Sequence, residues 1–291
     1  MNIDNYTSRS DDINAVDARG DTELHKAVEQ KRIDRVKKLL SDPRIDINKP
    51  NRFGLTPLHI AVTNGDLECM KILVSQRNID VNKQIPHGFA IGETPLHFAA
   101  EKGNLECIRL LLNVPGINVN VVANGERTPL ASAVQYGNTE CVKLFLSHPG
   151  IDVNAVNHVC TPLHLSIEKN RKECFKLLVN HPSIDCNVRD NEGWTPLHDA
   201  AVNNDEDYID TLLSIPGIQV NVQNQIGQTP LHLTVSFGSL MRTCSLLWHN
   251  DIHKTIKDNE GKTPLDIAEH LDKTETNKLR IIQVLKKYGT K

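Results

Sequence analysis

Residues 94–120, TPLHFAAEKGNLECIRLLLNVPGINVN, decide how the chain folds. Thr94 is a good helix N-cap, and the Pro that follows suits a first helical turn, where a backbone N–H has no partner. Nine residues after the Thr, Gly103 supplies the left-handed conformation in which helices often end. A second apolar segment follows, and Pro115 stops it. The stretch therefore predicts a helix, a turn back and a second helix.

The same pattern recurs along the chain. TPLH begins at five positions, and the near copies TELH, TPLA and TPLD begin at three more, at intervals of 33, 34 or 38 residues. The eight copies cover residues 12–289, which we expect to form a single domain, with residues 1–11 as a short N-terminal tail and residues 290–291 as the C-terminal end. The first helices should start near Thr22, Thr56, Thr94, Thr128, Thr161, Thr195, Thr229 and Thr263.

Each copy ends in an extended Val-Asn pair or a close variant, followed by a polar turn such as RDNEG, which indicates a β-hairpin. One such unit cannot bury its apolar face alone, so neighbouring units must stack on each other. The sequence therefore predicts an all-α-dominated solenoid of stacked helix-turn-helix units with β-hairpin fingers.

The combined pattern GxTPLHxAA…GxxEC…LL…PGIDVN resembles the ankyrin repeat, and the resemblance extends over residues 12–289. It implies an array of eight ankyrin repeats whose finger tips and first helices line a groove that binds other proteins. The departures from the pattern are local. Ala131 stands where the fourth repeat should have His, and the third finger, KQIPHGFAIGE, is four residues longer than the others.

Composition narrows the possible functions. The formal net charge is −3, so the chain has no basic excess to neutralise nucleic-acid phosphates. The sequence has neither the apolar stretch of a signal peptide nor a window that could span a membrane. Seven cysteines without a CxxC motif favour a reducing compartment. We therefore expect a cytoplasmic protein that binds neither nucleic acid nor membrane.

Two residue types recur in register and invite a chemical interpretation. Histidine stands three places after the cap Thr in six repeats, and cysteine stands thirteen places after it in four. Neighbouring helices lie about 8–10 Å apart, too far for a disulfide ladder or for zinc–sulfur bonds of about 2.3 Å. The ankyrin resemblance implies that the histidines hydrogen-bond the Thr and nearby backbone. We expect no catalytic residue, no metal and no cofactor; an enzyme or metal site that uses these columns is the minor alternative.

In a repeat protein the recurring positions build the fold, so binding must use the positions that vary. By resemblance to the family, these lie four, three and one places before the Thr and seven and eight places after it. Large apolar, aromatic and basic side chains occur there, and aromatic residues and Arg carry much of the energy of typical interfaces. The long third finger adds a further aromatic residue. The predicted partner-binding residues are Arg52, Phe53, Leu55, Phe89, Ile91, Arg127, Tyr136, Lys169, Trp194, Ile226 and Phe237.

These observations predict a non-catalytic protein–protein interaction module, an adaptor, inhibitor or scaffold that is a monomer on its own. An architectural subunit of a larger complex is the alternative. Two settings stay open: the chain serves a eukaryotic cell directly, or it is an effector that an intracellular bacterium delivers into the host cytosol. The identity of the partner does not follow from the fold.

Overall fold

The computed structural model describes residues 12–88, 90–123, 127–156, 160–271 and 275–288. These residues contain sixteen α-helices and fall into two compact units, Met1–Ile151 and Asp152–Lys291. Each unit contains four helix pairs and is an all-helical stack of repeats, as the sequence predicts. Among the helices described, none is both long enough and apolar enough to cross a bilayer.

In the first unit the first helices of the repeats pack in one row and the second helices in another. The first helices are α1 (Glu23–Glu29), α3 (Pro57–Thr63), α5 (Pro95–Lys102) and α7 (Pro129–Tyr136), and the second helices are α2 (Ile33–Leu40), α4 (Leu67–Val74), α6 (Leu105–Leu112) and α8 (Thr139–Leu146).

The second unit repeats this arrangement. Its first helices pack in sequence order, and α14 packs between α12 and α16 among its second helices. The first helices are α9 (Pro162–Glu168), α11 (Pro196–Val202), α13 (Pro230–Ser236) and α15 (Pro264–Glu269), and the second helices are α10 (Lys172–Val179), α12 (Glu206–Leu213), α14 (Leu240–Leu247) and α16 (Glu275–Lys287).

A Thr with extended backbone caps every first helix. The histidine three places later joins the cap to the next repeat. In the first repeat the Thr22 N–H donates to Nδ1 of His25 at 3.1 Å, and Nε2 of His25 lies 3.0 Å from the Leu55 carbonyl oxygen. Because Nδ1 accepts a backbone N–H, Nε2 carries the proton and donates to that carbonyl.

Four more histidines reach the carbonyl thirty residues onward in the same way, so the role that the family resemblance implies is confirmed. His59 is different, since the long third finger follows it: it lies beside the Glu93 backbone, but its Nε2 has no hydrogen bond of normal geometry. The four further bonds join His97 to Arg127, His164 to Trp194, His198 to Gln228 and His232 to Lys262.

Burial controls the protonation of these imidazoles. Desolvation lowers the pKa of His97 to about 4, and His59, His164 and His198 respond alike. The imidazoles are therefore neutral at pH 7, as their hydrogen bonds require. The column joins repeats through both ring nitrogens of its hydrogen-bonded histidines.

The fingers correct one part of the prediction. Across the described residues the only β-bridge is the isolated pair Val16–Thr22, so no finger forms a β-ladder. In the second repeat Asn51 N–H donates to the Leu55 carbonyl oxygen at 2.9 Å, and Asn51 Oδ1 accepts from the N–H groups of Phe53 and Leu55. A turn closed over five residues by its own Asn side chain leaves no length for paired strands.

Asparagine side chains bind each finger base to its neighbour. Asn48 Nδ2 donates to the Asn78 carbonyl oxygen at 2.7 Å, and Asn48 Oδ1 accepts from Asp80 N–H at 2.8 Å. Asn82 makes the same pair of bonds to Gly116 and Asn118. These bonds space the fingers regularly, so residues at the finger tips are held at fixed intervals within each unit.

Candidate protein-binding surface

In the first unit the structure brings two predicted finger residues against the end of a first helix. Phe53 is 62% exposed, and Leu55 is half-buried beside it. Both line a depression of about 250 Å³, together with Thr63 and Asn64. Thr63 and Asn64 stand seven and eight places after Thr56, at the positions that the family resemblance assigns to binding. The depression can accept an apolar side chain.

The rim of this depression is charged. Arg19 Nη2 lies 2.8 Å from an Asp21 carboxylate oxygen and 2.9 Å from a Glu29 carboxylate oxygen. Arg52 is exposed, and its N–H donates to the Arg19 carbonyl oxygen at 3.0 Å. Because Arg19 already has two acidic partners, Arg52 is the freer of the two guanidinium groups for a partner's carboxylate.

Arg127 and Tyr136 lie at the fourth repeat. Arg127 is half-buried and donates to Gln135 Oε1 at 2.8 Å, and its guanidinium lies 3.5 Å from the Glu93 carboxylate. Burial raises the pKa of Glu93, which Arg127 partly offsets. Tyr136 ends α7 and is 45% exposed. Arg127 therefore has bonds within the chain, whereas the Tyr136 ring faces solvent.

The structure describes one of the two predicted residues of the third finger. Ile91 is half-buried, and Phe89 lies outside the described residues. His87, close by, is exposed and its Nε2 is bonded to the Arg52 carbonyl oxygen at 2.9 Å. The third finger is therefore hydrogen-bonded to the second repeat through His87.

In the second unit Trp194 and Lys169 lie near several carboxylates. Trp194 is half-buried, and its ring lies 5.9 Å from the His198 ring. The backbone N–H of Trp194 donates to Asp190 Oδ1 at 2.7 Å. Lys169 is exposed and pairs with Glu168 at 2.7 Å. The Trp194 backbone is thus held by Asp190, and the residue is partly exposed.

A carboxyl group that was not among the predicted residues also lies in this region. Asp199 lies on α11, where desolvation raises its pKa well above the usual value, and the charges of Asp190, Glu168 and Glu192 raise it further. A signal was available. Asp199 stands four places after the cap Thr, where five of the other seven repeats have an apolar residue.

Ile226 and Phe237 are the remaining predicted residues, and both belong to the seventh repeat. Ile226 lies in the finger and is 58% exposed, and Phe237 follows α13 as its C-cap and is 55% exposed. Their exposure matches that of Phe53 in the first unit. Each unit therefore presents large apolar side chains to water at the predicted positions.

Burial raises the pKa of three thiols on second helices. Cys69, Cys107 and Cys141 are buried on second helices, and desolvation raises the pKa of Cys69 to about 12 and those of Cys107 and Cys141 to about 11. A thiol with so high a pKa is a poor nucleophile at pH 7. Over the part of the chain that the structure describes, no group of three or more His, Cys, Asp or Glu side chains is placed to hold a metal ion.

Stacked pairs of short helices joined by a buried Thr–His column and hydrogen-bonded fingers define a helical repeat protein. A family model described as ankyrin repeats, in three copies, matches residues 4–85, 83–157 and 156–224. The chain belongs to the ankyrin repeat family.

One solved structure extends this likeness. The crystal structure of the ankyrin repeat domain of Bcl-3, described as a unique member of the IkappaB protein family, matches with a TM-score of 0.69 and 26% sequence identity. The match covers 80% of this chain and 99% of the Bcl-3 chain. No curated protein matches the sequence significantly.

Proposed function

We propose that the chain binds a partner protein through its finger tips and the adjoining ends of its first helices, as a non-catalytic adaptor, inhibitor or scaffold. The ankyrin repeat fold supports a protein–protein interaction module. The observation that carries the proposal is the exposure of Phe53, Tyr136 and Phe237 at positions that vary between repeats. The chain has only twelve aromatic residues, and three of them face water there.

The chemistry of the partner differs between the two units. In the first unit an apolar side chain fits the depression beside Phe53, and a carboxylate can pair with Arg52. In the second unit a partner Lys or Arg fits beside Trp194, because the ring face attracts a cation and the carboxylates of Asp190 and Glu192, on the same finger, attract it further. The partner should therefore carry both an acidic-apolar and a basic element.

Capture from cell lysate tests this function. The bait is the full chain, compared with a Phe53→Ser/Tyr136→Ser/Phe237→Ser variant after circular dichroism has confirmed that both are folded. A protein that the wild type retains and the variant loses supports the proposal. A matched control, Lys71→Ser/Lys143→Ser on the second helices α4 and α8, should retain the partner. Equal retention by the Phe53/Tyr136/Phe237 variant contradicts the proposal.

We further propose that the chain acts in a cytoplasm, either that of a eukaryotic cell or a host cytosol reached by a bacterial effector. The buried thiols of Cys69, Cys107 and Cys141 form no disulfide, which agrees with a reducing compartment. An architectural subunit of a larger complex is the alternative. It predicts that the finger-tip substitutions change nothing, whereas disturbance of the end repeats abolishes assembly.

A further inference from the structure

The second helices carry acid–base pairs on their exposed faces. Twelve and fifteen places after the cap Thr, the third repeat has Glu106 and Arg109, with a carboxylate oxygen and a guanidinium nitrogen 3.7 Å apart. The fourth repeat has Glu140 and Lys143 at 2.6 Å, and the fifth has an equivalent pair. The acidic member is present in each of the first six repeats, as Asp34, Glu68, Glu106, Glu140, Glu173 and Asp207.

The seventh repeat replaces this pattern with an apolar stripe. On α14 Met241 stands twelve places after the cap, Cys244 fifteen places and Trp248 nineteen places. Met241 is 60% exposed, Trp248 is 71% exposed and Cys244 is half-buried. Residues spaced by three, four and seven positions lie on one face of a helix. In the first six repeats the position of Trp248 is polar, held by Ser41, Ser75, Asn113, Ser147, Asn180 and Ser214.

The neighbours of α14 have opposite charges. On one side α12, EDYIDTLL, has three acidic residues and no basic one. On the other side α16, ETNKLRIIQVLKK, has four basic residues after its initial Glu. Lys287 lines the same depression of about 730 Å³ as Trp248, and Arg280 lies seven residues before it on the same face of α16.

Some of these charges already have partners. Asp207 lies 3.2 Å from Lys172, and Lys286 lies 3.2 Å from Glu269 on α15. Lys254, which lines the depression beside Trp248, donates to two backbone carbonyl oxygens at the end of α16. The charges beside the stripe that can pair with a partner are therefore chiefly those of Asp210 on α12 and of Arg280 and Lys287 on α16.

We propose that this surface, the α14 face, binds a second copy of the chain in a weak two-fold dimer. We define the α14 face as Met241, Cys244 and Trp248 with α12 and α16 on either side. If the two-fold axis runs parallel to α14, the stripes of the two copies meet. Acidic α12 of each copy then lies opposite basic α16 of the other. Such an isologous contact satisfies both charged edges at once.

Other occupants fit the charges less well. A uniformly acidic partner would meet like charge at α12, and a uniformly basic one would meet like charge at α16. A two-fold axis perpendicular to α14 would bring α12 against α12, which is repulsive. The arrangement of a neutral stripe between opposite charges therefore favours self-association over these alternatives.

The size of the α14 face sets the strength of the dimer. An eight-residue helix is about 12 Å long, and neighbouring helices lie about 8–10 Å apart, so three helices offer a few hundred Å² per copy. Interfaces below about 1,200 Å² in total are weak. We expect the monomer predicted from the sequence at low concentration and the dimer at roughly 100 µM and above.

Analytical ultracentrifugation of the full chain between about 5 and 500 µM tests the proposal. The expected result is a weight-average mass that rises towards twice the monomer mass. Met241→Glu/Trp248→Ser, which introduces the residues that the fourth repeat has at these places, should stay monomeric throughout. Phe53→Ser, an equally exposed aromatic in the first unit, should associate like the wild type. A monomeric wild type, or an unchanged Met241/Trp248 variant, overturns the proposal.

Charge exchange tests the arrangement itself. Asp207→Lys/Asp210→Lys and Arg280→Glu/Lys287→Glu should each be monomeric, because each gives like charges on both sides of the contact. An equimolar mixture should associate, because α12 and α16 of one variant then complement those of the other. Circular dichroism shows that both variants are folded. A mixture that stays monomeric, or either variant that dimerises alone, contradicts the two-fold arrangement, and neither result bears on the proposed finger-tip binding.

Discussion

Phe53 and His59 are six residues apart in the second repeat and occupy opposite environments. His59 is fully buried in the Thr–His column, whereas Phe53 is 62% exposed at a finger tip. The column has the same chemistry in nearly every repeat, and the finger tips differ from one repeat to the next. The difference teaches that packing constrains one set of positions and leaves the other available for binding. Substitutions in the column should therefore change stability, whereas substitutions at the finger tips should change binding.

Acid should protonate the column histidines and produce the largest loss of stability. Four histidines have a folded pKa of about 4, so the folded state binds fewer protons than the unfolded state below pH 6.5. The stability that the neutral histidines contribute is fully present above pH 6.5 and is lost as the pH falls towards 4. Each histidine can contribute a loss of about 3 kcal/mol. We expect unfolding, followed by circular dichroism, to have its midpoint within this window; native signal that persists below pH 4 would contradict the mechanism.

Removal of one column histidine should have the next largest effect. His198→Ala leaves the Gln228 carbonyl oxygen and the Thr195 N–H without their partners and opens a cavity, at a cost of about 2–4 kcal/mol in unfolding free energy. Urea denaturation measures it. His253→Ala, at an exposed position, is the control and should cost under about 0.5 kcal/mol. Equal effects at the two positions would show that the column is not a special stabilising feature.

Asp199→Asn should stabilise the protein, unlike the substitution of a column histidine. The folded pKa of Asp199 is raised, so the folded state retains a proton that the unfolded state loses. The penalty is absent below the unfolded pKa and grows as the pH rises towards the folded pKa. We expect the variant's melting temperature to exceed that of the wild type by about 2–4 °C at pH 8, and by less as the pH is lowered towards the unfolded pKa of Asp. A gain that is independent of pH would point to packing and away from ionisation.

Phe53→Ser should have the smallest effect on stability. The side chain is largely exposed and lines a depression without filling the core. The free energy of unfolding, measured with urea, should change by less than about 0.5 kcal/mol. Leu58→Ser, five residues onward and fully buried, provides the contrast, with a loss of several kcal/mol. A loss above about 1 kcal/mol for Phe53→Ser would place it in the fold rather than at a binding surface.

The fold could be predicted largely from the sequence because its signals are local. A Thr-Pro pair starts a helix and Gly103 or Gly137 ends one, and both effects act within a few residues. The fingers were predicted less well. The sequence of a turn such as residues 51–55 suggests a hairpin, but Asn51 closes the turn with its own side chain, and no strand ladder follows in the described residues.

The binding surface was harder to predict, because it depends on distances between residues far apart in sequence. Arg127 occupies a variable position, yet its guanidinium is bonded to Gln135 and lies near Glu93. The acidic residues around Asp199 come from a finger and two helices, so only the folded chain shows them together. Trp248 and Met241 could have been found from the sequence, since each is apolar at a position that is polar in the first six repeats.

Site-specific photo-crosslinking in cells tests the central claim most directly. A photoreactive amino acid replaces Phe53, Tyr136 or Phe237 at the finger-tip surface, and Lys71 or Lys143 on the second helices serves as the control position. We expect one partner protein to crosslink from the finger-tip positions and not from Lys71 or Lys143. Crosslinks to the same protein from α4 and α8, with none from the finger tips, would contradict it.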